Sequence, residues 1–146
     1  MSLLDHTPST TPSDAERIAR DVYGLEVTAH AMASERDKTF RLDTHDGPAF
    51  VMKVSNSLDT LELLQAQTQA AELGIAAGVP VQAVRQSLSG EQIPTVDGHF
   101  VRLLDFIPGV LLGEVTPKSA SLREDLGRNV GLLSRALNGY DHPAAH

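Results

Sequence analysis

The residues from Ser34 to Asn56 carry the chemistry that stands out in this sequence. They read SERDKTFRLDTHDGPAFVMKVSN, which predicts a polar turn, an alternating strand, a glycine-containing hairpin turn and a second strand. The second strand carries one cation that can face inward, Lys53. A loop that offers backbone N–H groups, followed by a lysine, is an arrangement that holds phosphate groups in place. The segment therefore predicts a phosphate site.

Lys53 also has an ordinary interpretation, because most lysines in folded proteins are exposed. On an edge strand or on an exposed strand face, its ammonium group would simply be hydrated. The apolar residues around it, in the string FVMKV, and the polar loop before it favour the phosphate-binding interpretation.

Composition limits the class of protein. The chain has 146 residues, of which 41% are hydrophobic and 21% charged, as expected of one folded domain. Its formal net charge of -7 argues against nucleic acid or an anionic membrane as the main partner, since both require a basic surface. The absence of cysteine excludes a disulfide framework and a thiolate nucleophile, and a cytoplasmic location is expected. No apolar run approaches the ~20 residues that cross a bilayer.

The hydrophobic pattern predicts the elements that must position Lys53. In order, they are a helix capped by Ser13 and ended by Gly24, strands over 25–32, 40–43 and 50–54, a helix over about 60–77, strands over 81–84 and 100–107, and a helix over 119–137. Asp97-Gly98 lies in the turn between the last two strands.

The helix over 60–77 is the element expected to reach Lys53. Asp59 or Ser57 is its predicted N-cap, and Gly78 its left-handed end. The residues expected to face the sheet are Leu61, Leu64, Ala71 and Ile75.

These elements predict an α+β fold with a five-stranded antiparallel sheet, one packed helix, and further helices at the N-terminal and C-terminal ends. Residues 1–12 are expected to be a disordered leader, because they are rich in Thr, Ser and Pro. Residues 13–109 would form the lobe, and residues 110–146 a linker and the first helix of a second, truncated lobe.

Five segments carry a resemblance to a known family. They read SERDKTF at 34–40, FVMKV at 50–54, QTQAAELGIAAGVPV at 67–81, VRLLDFIPG at 101–109 and LGRNVGLLSRALNGYDHPAAH at 126–146. Together they resemble the N-terminal lobe of the aminoglycoside phosphotransferase and choline kinase-like superfamily. Within it they are most similar to the hydroxylysine kinase-like group, which includes phosphotransferase domains fused to class III aminotransferases. The resemblance implies a protein kinase-like N-terminal lobe.

The resemblance also implies roles for individual residues. Lys53 would contact the α and β phosphates of ATP, and Ser34, Asp37 and Thr39 would belong to the loop that positions the nucleotide. This loop has no glycine, so contact with phosphate would depend on side chains and turn geometry. An ordinary polar hairpin turn is the alternative for these loop residues.

Leu104 and Phe106 match the strand and hinge that lie beside adenine in the resembling enzymes. Backbone groups near these two residues would face the adenine edge. The Phe106 ring itself is expected to pack, because aromatic side chains in strands are more often part of a core.

Gln67 is a departure from the pattern of the resembling enzymes. Kinases of this architecture pair the strand lysine with a helix glutamate, and Gln67 lies near that place, with Glu62 and Glu72 a turn or more to either side. Gln67 would accept a hydrogen bond from Lys53 without neutralising it. An exposed helix amide is the alternative.

The catalytic groups of the resembling enzymes have no match in this sequence. Those enzymes take a catalytic Asp from a His-x-Asp segment with a following Asn, and bind Mg²⁺ with a later Asp. We therefore predict no catalytic residue and no metal ligand in this chain, and expect the Mg²⁺ ligands in a C-terminal lobe. The chain ends where the resembling proteins continue, which indicates truncation and no activity of the chain alone.

Three functions stay open from the sequence. The first is the ATP-binding part of a phosphotransferase that acts on a hydroxyl of an amine-bearing small molecule. The second is a non-catalytic binding or regulatory module attached to an aminotransferase-type enzyme, and the third is a domain without a ligand. A severed lobe would expose apolar residues near Val110 and Leu111, so a homodimer through this surface is also expected.

Overall fold

The structure is a computed structural model that describes residues 6–145. Its elements are α1 (Pro12–Tyr23), β1 (Thr28–Met32), β2 (Lys38–Thr44), β3 (Gly47–Val54), α2 (Leu61–Ala76), β4 (Val84–Arg85), β5 (Thr95–Val96), β6 (His99–Asp105), α3 (Ala120–Ala136) and a short 3₁₀ helix (Pro143–Ala145). None of the helices within this described part is both long and apolar enough to span a membrane.

Helix α1 begins earlier than the sequence predicted, because Thr11 and not Ser13 is its N-cap. The Thr11 hydroxyl accepts the backbone N–H of Asp14 at 3.2 Å, and the Asp14 carboxylate accepts the backbone N–H of Thr11 at 2.9 Å. These reciprocal bonds form a capping box, with Pro12 at the first helical position, where its missing N–H costs nothing. Hydrogen bonding to Thr11 lowers the pKa of Asp14. Gly24, with φ of 69°, ends the helix as predicted.

The segment before α1 differs from the expected disordered leader in its described part. The backbone N–H of Ser57 donates to the His6 carbonyl at 3.3 Å, and Pro8 is buried. Residues 6–11 therefore lie against the domain. The remainder of the expected leader, residues 1–5, lies outside the described residues.

All strand pairs are antiparallel, and the strand order is β1-β2-β3-β6-β4, with β5 also paired to β6. The sheet thus has six strands rather than five. The additional strand, β5, is only two residues long and turns into β6 through Asp97 and Gly98, whose φ angles are 50° and 80°. Two consecutive residues with positive φ make the tight hairpin turn that the sequence predicted at this place.

The sheet has one apolar face, which packs against α1. Phe40, Met52 and Leu103 lie directly opposite one another on three neighbouring strands and are fully buried in this core. Ala15 and Ile18 of α1 belong to the same buried cluster. Burying a side chain of the size of Leu or Phe contributes about 1.5–3 kcal/mol, so this face accounts for much of the hydrophobic stabilisation.

Helix α2 lies on the opposite face but packs on the sheet less than predicted. Leu64 is fully buried, whereas Leu61 is 37% exposed and Ile75 is 39% exposed. The late part of α2 approaches α3 instead, at the buried Gly74, where an added Cβ atom would lie 3.3 Å from Leu133. An added side chain at this position would require the Val81 and Leu133 side chains to shift.

The ends of α2 are partly as predicted. Its N-cap is Thr60, and not Asp59 or Ser57, since the Thr60 hydroxyl accepts the Leu63 N–H at 3.2 Å. Gly78 has φ of 82° and follows the helix end, as its predicted left-handed conformation requires.

Thr11→Ala is expected to lower the free energy of unfolding by about 1 kcal/mol, because it removes the hydroxyl that accepts the Asp14 N–H. Urea unfolding followed by circular dichroism measures this change. Ser13→Ala is the matched control and should stay within about 0.5 kcal/mol of the original chain, because Ser13 is exposed inside the helix. A larger loss from Ser13→Ala than from Thr11→Ala would contradict the assignment of the cap.

Candidate functional site

The candidate site is a row of three residues on neighbouring strands. Thr39 of β2 lies directly opposite Lys53 of β3, and Lys53 lies directly opposite Arg102 of β6. Directly opposite residues share a face of the sheet, with their Cβ atoms about 4.5–5.5 Å apart. The adjacent residues Met52 and Leu103 point into the core under α1, so these three side chains project from the other face, toward α2. We call them the polar row.

Lys53 lies in the middle of the polar row and is half-buried. It makes no hydrogen bond or ion pair with any residue that the structure describes. The expected hydrogen bond from Lys53 to Gln67 is wrong, because the Gln67 amide oxygen accepts from Nη1 of Arg102 at 2.9 Å. Glu72 is also engaged elsewhere, since it accepts from Gln92 at 2.8 Å. The ammonium group of Lys53 is therefore available to an external anion.

Arg102 is the site residue that the sequence reasoning missed. It is only 7% exposed, and its Nε atom is buried with no hydrogen-bond partner among the described residues. Burial lowers the pKa of Arg102, and the charges of Asp37 and Asp59 oppose that shift. The string VRLLD places a charged residue within an apolar strand, and this pattern could have indicated a site residue. Only the pairing of β3 with β6 shows that Arg102 lies beside Lys53.

Two other predicted site residues, Ser34 and Asp37, lie in the loop between β1 and β2. Ser34 is exposed in this loop, whereas the Asp37 carboxylate accepts the backbone N–H of Asn56 at 3.1 Å. The Asn56 side chain in turn donates to the Arg36 carbonyl at 3.2 Å. Asp37 therefore ties this loop to the end of β3. Of the loop residues, Thr39 is the one that the strand register places beside Lys53.

The predicted hinge residues lie inside the sheet or at its end. Leu104 is paired with Val51 on one side and with Val84 on the other, so its backbone belongs to a central strand. The Phe106 N–H donates to the Ala49 carbonyl at 2.9 Å. Neither N–H is therefore free, and the expected approach of backbone groups near these two residues to adenine stays a prediction.

The first open backbone groups come at the end of this segment. The Asp105 carbonyl accepts from the Gln82 side chain at 2.9 Å. The Phe106 carbonyl and the Ile107 N–H, in contrast, have no partner among residues 6–145. This short stretch is the first place along the hinge where one acceptor and one donor are both free.

The described residues also form two further surface features. A cavity of about 260 Å³ lies on the α1 side of the sheet; its lining residues are Tyr23, Leu25, Phe50, Arg85, Gln86 and Leu103. Val110 and Leu111 are 71% and 72% exposed. Self-association through this second surface stays a prediction.

Comparison with known proteins gives the chain its relatives. The sequence pattern of the phosphotransferase enzyme family matches residues 26–146. Hydroxylysine kinase of Danio rerio is 26% identical over 154 residues, which cover 98% of this chain and 43% of that kinase. The crystal structure of a spectinomycin phosphotransferase in complex with ADP and spectinomycin superposes with a TM-score of 0.70 at 11% identity, and covers 94% of this chain and 40% of that one. The chain thus spans less than half the length of either relative.

The structural likeness confirms the predicted fold class. The antiparallel sheet and the three α-helices within residues 6–145 match a kinase-like N-terminal lobe. The predicted resemblance to aminoglycoside phosphotransferases and to hydroxylysine kinase is confirmed as well. Because the family pattern covers most of its length, this chain belongs to the phosphotransferase enzyme family.

Proposed function

We propose that this chain is the ATP-holding lobe of a small-molecule phosphotransferase, with the phosphates of the nucleotide on Lys53. The observation that carries the proposal is the state of Lys53. It is a half-buried cation that has no partner among the described residues and lies directly opposite a second, buried cation. Such a group is suited to an anionic ligand, because an ammonium offers three hydrogen-bond donors and no acceptor.

The donor set of the polar row fits a polyphosphate. Like charges directly opposite each other in a sheet are destabilising. An anion bound between Lys53 and Arg102 would remove that repulsion. Bound ATP would supply the phosphoryl group, while Lys53 would hold and orient the phosphates and Thr39 would offer a hydroxyl beside them. The relative that was crystallised with ADP supports this choice of ligand.

The hinge offers groups that suit adenine. Adenine presents an amino donor next to ring nitrogen acceptors. The free Phe106 carbonyl would accept from such an amino group, and the free Ile107 N–H would donate to a ring nitrogen. This pairing moves the proposed adenine contacts from the backbone of Leu104 to the residues that follow β6.

The proposed acceptor is a hydroxyl group of an amine-bearing compound. The names of the two relatives support this class, since hydroxylysine and spectinomycin both combine hydroxyl and amino groups. The activity of the whole enzyme is part of this proposal, because the chain spans 43% and 40% of these relatives.

Lys53→Ala is expected to weaken ATP binding by about tenfold or more, because a hydrogen bond to a charged group contributes about 1.5–3 kcal/mol. Isothermal titration of the 146-residue chain with ATP measures the dissociation constant. Lys38→Ala is the matched control. Lys38 lies opposite Val54 and so belongs to the α1 side of the sheet, and its loss should change the affinity less than twofold. Equal ATP affinity for Lys53→Ala and the original chain would refute the proposal.

We also propose that this chain does not transfer a phosphoryl group by itself. Residues 6–145 contain no group of three or more His, Asp or Glu side chains placed to hold a metal ion. The sequence also contains no His-x-Asp segment. Incubation with ATP, Mg²⁺ and hydroxylysine should give no phosphorylated product above a blank, as measured by mass spectrometry, with the Danio rerio kinase as positive control. Product formation by this chain that disappears in Lys53→Ala would contradict the proposal.

A further inference from the structure

We infer that Arg102 is a positioning residue of the phosphate site, which makes the site dicationic and occupies Gln67 so that Lys53 stays unpaired. The inference rests on the proposed function, because it names a nucleotide polyphosphate as the anion. It assigns a role to the one residue of the polar row that neither the sequence reasoning nor the family resemblance singled out.

The side chain of Arg102 is a buried cation that has no bonded anion among the described residues. It is 7% exposed, and its buried Nε has no partner within the described part of the chain. Its hydrogen bond to the Gln67 amide is neutral on the acceptor side, and no described carboxylate forms a hydrogen bond or an ion pair with it. A buried cation without a bonded anion is costly to a fold, so its presence beside Lys53 calls for an explanation.

Two carboxylates influence Arg102 without bonding to it. Asp37 and Asp59 act on Arg102 through space, and their charges favour its protonated form. Both are engaged in other bonds, however. Asp37 accepts the Asn56 N–H at 3.1 Å, and Asp59 forms an ion pair with Arg36 at 3.2 Å. They moderate the positive charge of the polar row without forming an ion pair with it.

Residue 67 is a glutamine, whereas kinases of this architecture carry a glutamate near this place. A glutamate at this place would form an ion pair with Lys53 or with Arg102 and would cancel one of the two charges. Gln67 accepts the Arg102 hydrogen bond and carries no charge, so it orients the guanidinium while both positive charges remain. The departure from the expected glutamate thereby acquires a physical reason.

The competing explanation is that Arg102 only ties α2 to the sheet. The two explanations differ in their effect on stability. If the role is purely structural, Arg102→Met should lower the melting temperature. If Arg102 serves anion binding, the same change removes a poorly compensated buried charge and should leave the melting temperature equal or higher. Gln67 is exposed, so its amide oxygen can bond to water when Arg102 is replaced.

The test is isothermal titration of the full chain with inorganic tripolyphosphate, ATP and adenosine. Arg102→Met should weaken the binding of tripolyphosphate and of ATP by about tenfold or more, because one charged group is lost. The affinity for adenosine should not change. Arg102→Lys keeps the charge and should recover most of the affinity. Gln67→Glu keeps Arg102 and should weaken the binding of tripolyphosphate as much as Arg102→Met does. Arg20→Gln is the charge-matched control on α1, on the far side of the sheet, and should bind as the original chain does.

The inference is overturned if the original chain does not bind tripolyphosphate, if Arg102→Met binds it equally well, or if Arg102→Met weakens adenosine to the same degree. If Arg102→Met does not fold, the Gln67→Glu variant alone tests the inference, and unchanged tripolyphosphate binding by this variant overturns it.

Failure of the proposed function would give a different result. In that case tripolyphosphate binding depends on Arg102, but ATP binds no better than tripolyphosphate. ATP binding that depends on Lys53 and not on Arg102 would support the proposed function and refute this inference.

Discussion

The register between β3 and β6 is the constraint on which both the core and the candidate site depend. It sets Met52 against Leu103 on the face covered by α1, and Lys53 against Arg102 on the other face. Because side chains alternate along a strand, a slip of one residue would move the arginine into the apolar core and an apolar residue beside Lys53. The buried apolar row therefore enforces the polar one.

The charge of the polar row is opposite in sign to the net charge of the whole chain. The chain carries a formal net charge of -7, yet its polar row brings two cations together and bonds one of them only to a neutral amide, Gln67. Asp37 and Asp59 are close enough to act on Arg102 but are held in loop contacts of their own. Under the proposed function, such a local positive site would attract a small anion without attracting nucleic acid, since the chain as a whole carries the opposite sign.

Much of the fold was predictable from local patterns. Turn chemistry identified Gly24 and the Asp97-Gly98 hairpin, because positive φ angles strongly favour glycine and a few polar residues. The apolar periods identified the three helices and the long strands. The cap at Thr11 and the two-residue strand β5 were missed. Neighbouring Ser and Thr residues have similar capping tendencies, and so short a strand exists only through its partner.

The sequence by itself determined the family resemblance and the α+β class, since both depend on local patterns of residue types, and it singled out Lys53 as the candidate phosphate ligand. Only the tertiary structure decided the partners within the site. Arg102 donates a hydrogen bond to Gln67, which lies 35 residues away along the chain, and the N–H of Phe106 donates to the Ala49 carbonyl. Contacts of this kind depend on how strands and helices are brought together. A local pattern of residue types does not encode which of two cations bonds to an acceptor that is distant along the chain.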